Sequence, residues 1–175
     1  MRDADIIETL RAKLTVPSGR HLYGVLGSYK ALERFTRQLK QATTADGQPF
    51  PAPEPVSLGI LEAIPDDEFR NLVENEAKRP EPTAAHVGRA FEAFLRGRLK
   101  EQPLLVLTSL ELLFAYHLEL NLLRTLATDD HRLVLLLPGR RERGQIVLFP
   151  ESDSGSYTLP FNLIAENHLW ELDER

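Results

Sequence analysis

The stretch from Leu104 to Gly139 constrains this chain more than any other. It reads LLVLTSLELLF, then AYHLELNLLRTLATDD, then HRLVLLLPG. Two short apolar runs, Leu104–Leu107 and Leu133–Leu137, are bracketed by Pro103, the Asp129–Asp130 pair and Pro138–Gly139. Short apolar runs between turn formers suit strands buried on both faces. The segment between them spaces Leu118, Leu120, Leu122, Leu123 and Leu126 over about three helical turns, which fits a crossover helix. Strand, helix and strand in ~35 residues form a βαβ unit, which demands a parallel sheet. The expected fold is therefore α/β, a three-layer α/β/α domain with a mostly parallel sheet of about five strands.

The flanking chain is consistent with this. Ile6, Ile7, Leu10 and Leu14 mark an amphipathic helix within residues 1–16, capped by Asp3, that docks on the body. His21–Leu26 predicts a first strand, which passes at Gly27–Ser28 into a helix carrying Leu32, Phe35 and Leu39 on one face. Residues 43–55, with four prolines, predict an exposed loop. Val56–Ile60 predicts a strand, and Pro65 with the acids behind it predicts a helix start. Residues 79–83 predict a second proline-rich connection. The next helix turns Val87, Phe91, Phe94 and Leu95 inward and Arg89, Arg96 and Arg98 outward. After Pro138–Gly139, RRERG predicts a charged turn into a strand at Gln145–Phe149. An edge strand follows at Tyr157–Leu159, and Trp170 anchors the last segment.

At 175 residues one domain, 1–175, is expected. A hydrophobic share of 42% and a net charge of −5 offer no global attraction for nucleic acid or anionic membrane. The chain has no cysteine, which removes disulfides, thiolate metal sites and cysteine nucleophiles together. The charged opening MRDADIIETLRAKL lacks a signal-type apolar core, and no run approaches the ~18 apolar residues of a membrane span. A cytoplasmic protein is expected.

A strand, a glycine turn and a helix near the start of an α/β chain raise the question of a phosphate loop. The pattern G-x-x-x-x-G-K-[ST] uses glycines for backbone approach, lysine for the phosphates and a hydroxyl for magnesium. Here it aligns on Gly24, Gly27, Ser28 and Lys30, but Tyr29 replaces the second glycine and Ala31 the hydroxyl. The central strand leads to Thr108 where an acid is needed, with Glu111 three residues later. The expectation is a degenerate phosphate-loop domain without catalysis or cofactor. A small ATPase holding ATP through Gly24, Gly27, Ser28, Lys30, Thr108 and Glu111 is the alternative.

The run VLTSLELLFAYHLELNLLRTLATDDHRLVLLLPG, followed by RGQIVLF, resembles the small α/β accessory proteins of the BREX phage-exclusion systems. Glu111-Leu112-Leu113-Phe114 matches the I/L-E-L-L-F segment after the central strand of the BrxF family. Pro138–Gly139 and Leu148–Phe149 match the order and spacing of the BrxB family. The resemblance spans residues ~104–160 and more thinly 20–40, and its motifs are mostly apolar. Tyr29, Ala31 and Thr108 depart from the BrxF pattern and favour the BrxB-like one. The resemblance implies a non-enzymatic interaction subunit of a bacterial antiviral assembly. Its partners would be other defence proteins, including a methyltransferase, a large ATPase and a phosphatase-like protein, and DNA would be associated indirectly. A homo-oligomer stays open.

Other constellations are weaker. Arg140, Arg141 and Arg143 offer a phosphate or nucleic-acid contact, against the plainer reading of a solvated turn. His117 and Glu119 begin a zinc-deaminase signature whose cysteines are absent. His86, His117, His131 and His168 lack ligand spacing, so no metal is expected. Ser109 lacks the G-x-S-x-G elbow. Tyr157 and Phe161 lack the basic surround that base stacking accompanies. The leucines and aromatics at Leu112, Leu113, Phe114 and Tyr116 exceed what one domain readily buries, so an exposed patch for a protein partner is expected there.

Overall fold

The computed structural model describes residues 1–75, 80–153 and 155–175, with backbone only at 75 and 80–82. Its centre is β1, Leu22–Gly27, in which every residue is buried. A strand with no polar face must be covered on both sides and paired on both edges. β1 accordingly runs parallel to β4 (Arg132–Glu142) on one side and to β7 (Leu169–Glu171) on the other. β3 (Leu104–Thr108) lies beyond β4, and the short β2 (Glu54–Pro55) beyond β3. The order β2-β3-β4-β1-β7 is all parallel. β5 (Gln145–Leu148) and β6 (Tyr157–Thr158) extend β4 as antiparallel strands, giving seven in all. The three-layer α/β/α expectation holds.

Strand side chains alternate between two cores. Tyr23, Val25, Val106, Val134 and Leu136 face α1 (Asp3–Lys13) and α2 (Tyr29–Gln41), packing with Ile6, Leu10, Phe35 and Leu39. Leu22, Leu26, Leu105, Leu107, Leu133 and Leu135 face the other layer. That layer is α3 (Val56–Ala63), α5 (Pro80–Glu101), α6 (Glu111–Ala115) and α7 (Asn121–Leu126). α4, Asp66–Asn75, joins α3 toward α5.

Several expectations are corrected. Val56–Ile60 is helix α3, with Val56, Gly59 and Ile60 buried. Gly59 lets the Phe94 ring of α5 approach to where a Cβ would be 2.5 Å away. Helix–helix packing thus overrides the β-propensity of the run. The connection at 79–83 is the first turn of α5 from Pro80 on, where a missing N–H costs nothing; residue 79 lies outside the described residues. The single crossover helix is two short ones, broken where His117 takes φ 50°. Pro138–Gly139 does not end a strand: β4 continues to Glu142, and the turn is Arg143–Gly144, both at positive φ. Two residues of that conformation match the twist of a hairpin. Pro65 precedes α4 and accepts from Phe69 N–H at 2.8 Å. Asp3 is not a cap but a buried carboxylate held by Arg34 of α2. The expected exposed patch at 112–116 is absent, since Leu113 and Phe114 are buried and Leu112 and Tyr116 pack against the same core.

A buried polar group joins β1 to the α1 layer. His21 Nδ1 lies 2.7 Å from Tyr23 Oη, and the Tyr23 ring packs on His168 at 4.6 Å and on Trp170 at 6.1 Å. Burial, then the Arg132 charge, pushes the His21 pKa below its ordinary 6.5. Burial, then Lys13, does the same to His168. Burial raises the Tyr23 phenol to about 12. Both imidazoles bind a proton less readily folded than unfolded, so the unfolded state takes up more protons below about pH 6.5. Their contribution to stability is complete above that pH and falls as the pH drops toward the folded values. Melting between pH 7 and 5 is expected to fall for the wild type and less steeply for His21→Asn with His168→Asn. An equal slope in the double variant would place the dependence elsewhere.

Candidate functional site

In a parallel sheet, ligands sit outside the carboxyl ends of the strands. Here that edge forms a cleft of about 320 Å³ around Gly27, Ser28, Tyr29, Gly139 and Arg140. β1 ends at Gly27 and α2 begins at Tyr29, so Ser28 alone joins them. A phosphate loop wraps its ligand with several successive backbone amides, and this connection has no length for that. Gly24 lies inside β1, where a Cβ would sit 2.7 Å from Leu169 Cδ1 and 2.9 Å from Ile164 Cδ1. Gly27 is pressed in the same way by Leu172 and Ala31. Both glycines serve packing.

The anion-binding feature of this cleft, the N-terminus of α2, is occupied from within the chain. Glu174 accepts from Ser28 N–H at 3.2 Å and from Ser28 Oγ at 2.7 Å. Ser28 Oγ in turn accepts from Ala31 N–H at 3.2 Å as the helix cap. A carboxylate at this position satisfies the orphan amides and the helix dipole as a phosphate would. The segment bearing Glu174 is fixed by Leu172 N–H donating to Leu26 O at 2.8 Å. Arg34 donates to the carbonyls of Asp173 and Arg175, both at 2.8 Å.

The surrounding field has the wrong sign for nucleotide. Glu151, Glu171 and Glu174 line the cleft, while Arg140 is paired with Glu142 at 3.2 Å. Tyr29 stands where the second loop glycine would be. Burial, then Glu111 and Glu151, raises its phenol above the ordinary 10. The chain matches no family model, no curated protein and no solved structure. The geometry therefore carries the functional reading by itself.

Of the residues singled out in the sequence, Gly27, Ser28 and Arg140 line the cleft, whereas Gly24, Lys30, Thr108 and Glu111 do not. Lys30 is exposed and has no ion pair among the described residues. Ser109 follows β3 at φ 54°, and its carbonyl accepts from Ser57 N–H at 3.1 Å and Ser57 Oγ at 2.7 Å. That contact closes the β3 end against α3, and no histidine is bonded to Ser109. The three arginines do not form one patch. Arg140 and Arg143 line a groove on the β4–β5 hairpin, while Arg141 is pinned to Glu166 at 2.8 Å and to Leu169 O at 3.2 Å. Adjacent strand residues point to opposite faces, which separates Arg140 from Arg141. Among the described residues no three His, Asp or Glu side chains cluster to hold a metal ion, and no helix is long and apolar enough to cross a membrane.

Glu151, Glu171 and Glu174 escaped the sequence reading. Ser28 and Glu174 stand at opposite ends of the chain, and nothing local in either segment signals that they meet.

Proposed function

We propose that this chain is a non-enzymatic interaction subunit of a bacterial antiviral assembly of the BREX type, docking another protein of that assembly. The observation that supports it is apolar exposure on consecutive helices. Leu58 and Leu61 of α3 and Phe69 and Val73 of α4 are all exposed; Met1, Val16, Tyr29 and Phe161 are exposed too, but singly in other segments. Exposed Glu62, Asp66, Asp67 and Glu74 share these two helices and the turn between them, with Arg70 as the exposed cation. Exposed apolar side chains among mainly acidic ones fit a partner surface of apolar side chains accompanied by lysine and arginine. The occupied α2 N-terminus and acidic cleft favour this reading over the small ATPase, and the separated arginines favour it over direct DNA contact.

Two measurements test it. ATP and ADP, titrated with and without magnesium into wild type and Lys30→Ala, are expected to give no binding at millimolar nucleotide. Micromolar affinity lost in Lys30→Ala would put the ATPase alternative ahead. Co-expression with the methyltransferase, large ATPase and phosphatase-like protein of such a system is expected to yield co-elution, abolished by Leu58→Asp with Val73→Asp. Separate elution of the wild type would remove the assembly reading.

A further inference from the structure

A second cleft lies at the opposite edge of the sheet, where nothing in the sequence directed attention. It is a cleft of about 860 Å³ between the end of α1, the loop 43–51 and the first residues of β3 and β4. We propose that this amino-terminal cleft binds a small amphipathic monocarboxylate, its carboxylate on Arg132 and its apolar body against Leu14, Phe50 and Leu104. The inference is independent of the assembly role.

Three observations carry it. The cleft has the size of a small-molecule site, and its walls are mainly apolar, with prolines 49, 51 and 103 beside the three residues named. It is also preformed. Thr43 and Pro49 form a β-bridge, Thr44 N–H donates to Gln48 O at 2.7 Å, and Arg11 Nε ties Thr43 O to α1 at 2.7 Å. The region expected to be a plain exposed loop is thus a fixed wall that buries Phe50.

The third observation is the charge balance. Arg132, half-buried at the start of β4, has no carboxylate within ion-pair distance among the described residues. Its guanidinium donates only to backbone carbonyls, Val16 O at 3.2 Å and Asp130 O at 3.5 Å, and its Nε is buried without a partner. A half-buried guanidinium without an ion-paired carboxylate is under-compensated, and a bound carboxylate would supply that partner. Arg11, in contrast, is already paired with Glu8. Asp46, held below the usual carboxylate range by its Thr44 hydrogen bond, keeps one negative charge at the rim. Arg11, Arg132 and Asp46 are the charged residues lining the cleft, and with Arg11 neutralised by Glu8, Arg132 is the cation left to receive an anion. A single negative charge suits Arg132, whereas the second charge of a phosphate monoester would meet Asp46.

The test uses decanoate and, as its uncharged counterpart, decanol, titrated calorimetrically into the full chain. Decanoate is expected to bind at least about tenfold more tightly than decanol. Arg132→Gln is expected to bring the two to similar affinity. Ala45→Trp, on the exposed wall, is expected to block both while leaving the melting temperature unchanged. No decanoate binding at millimolar concentration, or equal binding of both probes by the wild type, would overturn the proposal. So would undiminished decanoate affinity in folded Arg132→Gln. If Arg132→Gln does not fold, intact decanoate binding by Ala45→Trp overturns the proposal on its own.

Discussion

Gly139→Val is expected to lower stability by about 3 kcal/mol or more, a melting shift of roughly 6–12 °C for a domain of this size. Gly139 is where β4 leaves the parallel sheet and pairs with Leu148 of β5. A Cβ there would lie 2.6 Å from the Val147 carbonyl oxygen and 3.3 Å from Leu148 Cα. Backbone atoms fixed in a ladder cannot swing aside as side-chain ends do, so β5 must separate from β4. Gly24→Ala is the matched control. Its nearest neighbours are the terminal methyls of Leu169 and Ile164, which can rotate, and about 1 kcal/mol is expected. Chemical denaturation of both variants checks the ranking, and equal losses would mean that the hairpin yields without strain.

Arg34→Met is the second large effect. Arg34 grips Asp3 with two bonds, 2.9 and 2.8 Å, and Asp3 is only 6% exposed. Removing the guanidinium leaves a carboxylate buried without a partner. Because Arg34 is itself partly in water, the cost is set at about 2–3 kcal/mol rather than the full value of a buried pair. Arg34→Met with Asp3→Asn is expected to recover most of it, which a double-mutant cycle measures. Loss of the bonds to the Asp173 and Arg175 carbonyls also frees Glu174 from Ser28. Faster amide exchange at Ser28 in Arg34→Met is the expected mark of that release.

The sheet was legible because its strands are apolar throughout. Leu104–Leu107 and Leu133–Leu137 both became parallel strands, and the Gly27–Ser28 junction became a strand-to-helix turn. What misled was local composition against tertiary context. Val56–Ile60 has a strand's residues but lies against Phe94, and Pro80 starts a helix where proline suggested a linker. The site was less legible still. Its defining contacts join Ser28 to Glu174 and Arg34 to Asp3, and long-range pairs between ordinary polar residues leave no periodicity or motif. The octet at 24–31 does lie beside a cleft, but it carried no sign that Glu174 occupies the helix end there. The Arg132 cleft was invisible for the same reason, since its walls come from four separate segments.

The all-buried β1 has a consequence for biosynthesis. Leu22 awaits Leu133 and Gly24 awaits Leu169, so both edges of the central strand are unpaired until most of the chain exists. At ~5–20 residues per second, translation leaves that strand open for roughly 5–20 s after it emerges. During this interval α1 and α2 can cover one face from the start, and the helices from α3 to α7, made before β4, reach the other face only as they emerge. The ribosome-bound chain is thus an open-edged intermediate, with residues 22–27 unpaired on both sides until β4 arrives.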